Sequence, residues 1–83
     1  MHRTTPQFWD IFDTLPEPTQ QLARKNFELL KQSLAHPSLH FKKAGKFWSV
    51  RIGLNYRALA IKDDTDFIWV WIGNHAEYDR LLK

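Results

Sequence analysis

Cysteine is absent from this chain of 83 residues, so neither a disulfide framework nor a thiolate metal site is open to it. Glycine is scarce, at three residues, and proline contributes four. No linker, repeat or low-complexity tract divides the chain, and residues 1–83 read as a single domain. No apolar run approaches the roughly 18 residues of a membrane span. The opening MHRTTPQFWD lacks the apolar stretch of a secretory signal. These absences point to a reducing, cytoplasmic setting with no membrane partner. One more absence is local: between Leu29 and Lys62 there is no Asp or Glu.

That acid-free middle holds Lys31, Lys42, Lys43, Lys46, Arg51, Arg57 and Lys62, with His36 and His40 among them. The other five basic residues share the flanks with all nine acidic ones. Charge segregated in this way favours a polyanionic or acidic partner for the middle of the chain; the alternative is a solvated sheet face that is simply basic. Aromatic residues are plentiful, with four Trp, six Phe and two Tyr. Each can bury roughly 150–250 Å², which compensates for the small core of so short a domain.

Thr5 before Pro6 predicts a helix start, with Thr5 as the N-cap. Phe8, Ile11, Phe12 and Leu15 then share one helical face. Pro16-Glu17-Pro18 breaks that helix and opens a second, expected from about Pro18 to Ala35. Its apolar stripe runs through Ala23, Phe27, Leu30 and Leu34, and His36-Pro37 ends it. From Leu39 the period becomes two. Leu39 and Phe41 predict a short strand, Lys43–Lys46 a turn, Phe47–Ile52 a strand, Gly53–Asn55 a turn and Tyr56–Lys62 a further strand. Asp63–Asp66 reads as a polar hairpin loop. Phe67–Ile72 is apolar on both faces and should be central, and Ala76–Leu82 predicts a short helix or tail. The expected fold is α+β: an N-terminal helical hairpin on one face of a small antiparallel sheet of three to four strands.

The tract from Leu39 onward resembles the RelE/ParE toxin superfamily. Three segments carry the likeness: the basic turn Lys42-Lys43-Ala44-Gly45-Lys46 leading into Ser49-Val50-Arg51, then Asn55-Tyr56-Arg57-Ala58-Leu59, then Trp71-Ile72-Gly73-Asn74-His75-Ala76-Glu77-Tyr78-Asp79. The helical hairpin before them matches too. One departure stands out, because the family usually begins with a longer strand, and here at most His2-Arg3-Thr4 is left for it. The resemblance implies a toxin of a bacterial toxin–antitoxin pair, with an antitoxin protein, the ribosome and mRNA as partners. It implies metal-independent mRNA cleavage that inhibits translation. The alternatives are a DNA gyrase poison acting by binding, and a catalytically inert module that only pairs with its antitoxin in transcriptional control. No cofactor or metal is expected.

Metal-free RNA cleavage uses the 2′-hydroxyl as nucleophile and needs proton transfer and cations at the phosphorane. His75 suits proton transfer, since imidazole titrates near neutrality; the resemblance places the family's catalytic histidine there, and a strand-capping role is the plain alternative. Arg51 and Arg57 offer forked donors for phosphate, with Arg51 preferred for transition-state stabilisation and Arg57 alternatively a strand-end arginine paired with Asp79 or Glu77. Lys42, Lys43 and Lys46 are candidates for RNA backbone binding, or else form a soluble turn. Tyr78 can stack on a base, transfer a proton, or pack on the sheet. Glu77 is a possible base or an exposed carboxylate. Trp69 and Trp71 read as core, and Trp9 as an antitoxin-contacting patch or a helix–helix contact. His36 and His40 have no carboxylate nearby to complete a metal site.

Overall fold

The computed structural model describes residues 1–33 and 36–82. The elements run β1 (His2–Thr4), α1 (Pro6–Phe12), α2 (Glu17–Gln32), a 3-10 turn (Pro37–Leu39), β2 (Lys42–Ala44), β3 (Phe47–Ile52), β4 (Tyr56–Asp63), β5 (Asp66–Asn74) and α3 (His75–Leu81). The five strands form one sheet in the order β1-β5-β4-β3-β2. The α+β class holds, but the sheet has five strands where three to four were expected, and it is mixed. β1 lies parallel to β5, with His2 opposite Phe67 and Thr4 opposite Trp69. Three residues suffice because charge anchors them. Arg3 meets Asp63 and Asp66 at 3.3 Å each, and the terminal ammonium meets Asp66 at 3.4 Å.

Local chemistry sets the helical hairpin. The Thr5 side chain accepts from the Phe8 amide, and Pro6 occupies the first turn, where a missing N–H costs nothing. Gln20 of α2 donates to the carbonyls of Phe12 and Leu15, so one side chain satisfies the free end of α1 and fixes the bend. α2 ends at Gln32 with Ser33 as C-cap, short of the expected Ala35; Leu34 and Ala35 lie outside the described residues.

The expected strand at Leu39 is also corrected. Pro37–Leu39 is a 3-10 turn, the His36 imidazole accepts from the Ser38 amide, and His40 follows in the left-handed region at φ 47°. Proline's fixed φ and this local cap outweigh the alternation of Leu39 and Phe41. The strand therefore starts at Lys42, and the turn tightens onto Gly45-Lys46, with Gly45 at φ 62°.

α1 and α2 cover one face of the sheet. Phe8, Ala23, Phe27 and Leu30 meet Val50, Ile52, Ala58 and Ile72 there, and Trp69 is fully buried in the same cluster. Asn26, the polar residue on this stripe, donates to the Arg51 carbonyl at 3.0 Å and ties α2 to β3. A bulge in β5 lets Trp71 face the other way. Leu59 pairs with Trp71 and Ala60 with Trp69, which leaves Val70 extra. On that second face the ring of Trp71 lies over Gly73, and any Cβ at position 73 would collide with it. α3 packs on this second face, where Leu59 and Ser49 are buried apart from the main cluster.

Candidate functional site

The second face brings the ends of β3, β4 and β5 together. Ile52, Tyr56 and Asn74 are aligned across the three strands, and one step inward Arg51, Arg57 and Gly73 form the next row. Like charges directly opposite on neighbouring strands repel, and the two guanidinium groups diverge. Arg57 donates to the Tyr56 carbonyl at 2.9 Å and sits 5.8 Å from the Tyr78 ring centroid. Arg51 turns towards the outer edge, donates to the Gly53 carbonyl at 3.0 Å, and its Nη1 lies 3.3 Å from His40 Nε2. Among the described residues neither arginine has a carboxylate partner. The expected pairing of Arg57 with Asp79 or Glu77 does not occur.

α3 delivers His75 to this row. Asn74 caps the helix by accepting from the Glu77 amide at 2.8 Å, and the His75 amide donates to the Asn55 carbonyl at 2.7 Å. The helix start is thereby tied to the β3–β4 turn. Asp79, one turn on, takes the role not foreseen for it: its carboxylate lies 3.2 Å from His75 Nδ1, with the two side chains 51% and 49% exposed. Nδ1 is thus engaged by the carboxylate, and Nε2 is the ring nitrogen left outside that contact.

Tyr78 lies near both groups. It is 8% exposed, and its hydroxyl donates to the buried Ser49 at 3.1 Å. Its ring centroid is 6.2 Å from that of His75 and 5.8 Å from the Arg57 guanidinium carbon. Tyr78 thus packs on the sheet with both groups near its ring, and its phenol is committed to Ser49. Glu77 is an exposed carboxylate in the first turn of α3.

The three candidate lysines separate. Alternation along β2 places Lys42, opposite Ser49, on the α3 side, and Lys43, opposite Trp48, on the α1–α2 side. Lys46 sits in the turn with its ammonium 5.4 Å from the Phe47 ring. A cleft of about 440 Å³ lies elsewhere, between β1 and α2, lined by residues that include His2, Trp9, Arg24 and Phe27. Trp9 there donates to Thr4 and packs edge-on against Phe8 and Phe12. His2 accepts from the indole of Trp69 at 3.1 Å. Burial holds the His2 imidazole below its usual pKa, and the terminal ammonium and Lys31 add to the effect. With its ring so occupied, this cleft offers less proton-transfer chemistry than the row at His75.

Asp79, His40, Asn26 and Ser49 were not assigned these roles from sequence. The spacing of four between His75 and Asp79 on a helix was the available signal for the first. Asn26, between Ala23 and Leu30 on the stripe, was a signal for the third. Ser49 shares a strand face with Arg51, but nothing in the sequence shows Tyr78 reaching it.

No protein-family model matches the chain, and no curated protein sequence matches it. Solved structures do. The chain is similar to a chain of the RelB–RelE antitoxin–toxin complex of Methanococcus jannaschii, at 15% identity and a TM-score of 0.76, covering 98% of this chain and 99% of that one. It is similar to a chain of the toxin–antitoxin complex RelBE2 of Mycobacterium tuberculosis, at 19% identity and a TM-score of 0.68, covering 90% and 96%. It is also similar to YafQ of E. coli, at 10% identity and a TM-score of 0.64, covering 94% and 96%. The chain has the fold of the RelE-type toxins over nearly its whole length. No helix among the described residues is long and apolar enough to cross a membrane.

Proposed function

We propose that this protein is the toxin of a toxin–antitoxin pair and that it cleaves messenger RNA on the ribosome, with His75 and Arg57 at the centre of its site. The observation that carries this reading is that a half-exposed imidazole and a guanidinium without a carboxylate partner both lie near the Tyr78 ring, 6.2 Å and 5.8 Å from its centroid. The fold shared with chains of two antitoxin complexes supports an antitoxin as the protein partner.

In this reading the 2′-oxygen attacks phosphorus and its proton passes to solvent. The P–O5′ bond breaks, and His75 Nε2 gives a proton to the departing 5′-oxygen, leaving a 2′,3′-cyclic phosphate and a 5′-hydroxyl. Asp79 orients the imidazole and stabilises its charged form. Arg57 faces the non-bridging oxygens, where a fixed donor gains most as charge develops. Arg51, one strand away, holds RNA backbone, and Lys42 and Lys46 add unspecific attraction from the same side. Lys43 faces the other way and contributes little. Tyr78 is a positioning residue.

Ribosome-dependent primer extension tests the reading. His75→Ala should lose about 10²–10⁴ in cleavage rate and Arg57→Ala about 10²–10³, while both proteins stay folded. Cuts that persist in both variants would refute it. Gyrase-linked DNA breaks without RNA cuts would point to a gyrase poison, and absence of growth arrest on induction would point to an inert antitoxin-binding module.

A further inference from the structure

At the outer edge of β3 a second group of residues is electrostatically incomplete. Arg51 Nη1 meets His40 Nε2 at 3.3 Å, beside a shallow hollow of about 310 Å³ that Leu22, Asn26, Ser38, Gly53 and Leu54 also line. No lining residue is acidic, and the sequence supplies no acid between Leu29 and Lys62. The Arg51 guanidinium is held by the Gly53 carbonyl and that of Arg57 by the Tyr56 carbonyl, so the two have separate partners. His40 is presented by a left-handed backbone, φ 47°, a conformation that few non-glycine residues adopt and that tends to mark functional positions. Arg51 Nη1 and His40 Nε2 stand within hydrogen-bond distance, so the ring and the guanidinium border the same hollow.

We propose that the Arg51–His40 pocket is a separate phosphate site, which takes a phosphodiester of the bound RNA next to the one facing Arg57. The inference rests on the reading of this protein as an RNA-binding toxin, and it adds a binding register: two phosphates held on divergent arginines, one strand apart. The pocket binds and does no chemistry.

The test follows the imidazole signals of His40 and His75 by NMR in the full-length protein. One titration uses inorganic phosphate, and another a short single-stranded RNA made uncleavable by 2′-O-methylation. The RNA should shift His40 as well as His75. His40→Asn keeps a residue tolerant of the left-handed backbone and should weaken RNA binding about fivefold, as for one lost hydrogen bond. Arg51→Gln should lower the salt dependence of RNA binding by roughly one unit of slope, and Arg51→Lys should restore part of that slope. Inorganic phosphate shifting His40 while RNA leaves it unmoved would show an adventitious ion only and overturn the proposal. So would silence of His40 with both probes, or unchanged RNA affinity in His40→Asn. A His40 response to RNA in a protein that makes no cuts would retire the nuclease reading and leave this site standing.

Discussion

The two faces of the sheet are built on opposite terms. Beneath α1 and α2, aromatic and aliphatic side chains interlock: Trp69 is fully buried, Phe27 meets it edge-on at 5.5 Å, and Phe8 stacks on Phe12 at 6.2 Å. Beneath α3 the buried set is small, with Leu59, Ser49 and Tyr78, and around it lie arginine, histidine and exposed carboxylate beside the Trp71 ring. The first face holds the fold together. The second can afford unpaired cations because the first supplies the burial. Stability and chemistry are divided by one layer of backbone, and mutations should sort by face.

Trp69→Ala is the severest test of that division. Removing a fully buried indole should cost about 3–5 kcal/mol, a large share of the stability of a domain this small. The measurement is the urea midpoint. A loss under about 1 kcal/mol would break the comparison.

Tyr78→Phe probes the second face. The ring stays, but Ser49, at 2% exposure, loses its donor. The expected cost is about 1–3 kcal/mol from an unsatisfied buried hydroxyl, with RNA cleavage changed less than in His75→Ala. A rate loss as large as that of His75→Ala, in a protein still folded, would return the phenol to the chemistry.

His2 gives a pH signature belonging to the first face. Burial lowers its pKa in the folded state, so the unfolded chain binds the proton more readily. The stability this adds is present above the unfolded value of about 6.5 and is lost as pH falls through the lower folded value. The urea midpoint should therefore drop between pH 7.5 and pH 5, and less so in His2→Gln.

The finest discrimination is between neighbours. Lys42→Ala should weaken RNA binding by a few fold and reduce its salt slope by roughly one, whereas Lys43→Ala should leave both nearly unchanged. Equal effects would mean that the RNA path ignores the sheet faces.

Much of this was legible in the residues. The Thr5-Pro6 start and the alternation of Phe47–Ile52 come from short-range chemistry and appear in the structure, whereas the break between the helices falls earlier than the expected Pro16–Pro18, with α1 ending at Phe12 and α2 opening at Glu17. β1 was harder to read, because three residues carry no period and the strand exists through pairing with β5 and the Arg3 carboxylate contacts. The Leu39 segment misled because its alternation is the same for a strand as for a 3-10 turn followed by a left-handed residue. The candidate site was only half visible. His75, Arg51 and Arg57 could be named from sequence, but not that Arg51 would turn to His40, that Asp79 would take His75, or that β2 would set Lys42 and Lys43 on opposite sides.

By itself the sequence determined the local elements and the supply of charge, since capping, proline geometry and hydrophobic period act over a few residues. Tertiary structure decided which groups meet. Strand register aligned Arg51 with Arg57, a bulge at Val70 turned two tryptophans apart, and the packing of α3 through Tyr78 brought His75 to the sheet face of Arg57. Those choices depend on partners tens of residues away, whose identity no local pattern encodes.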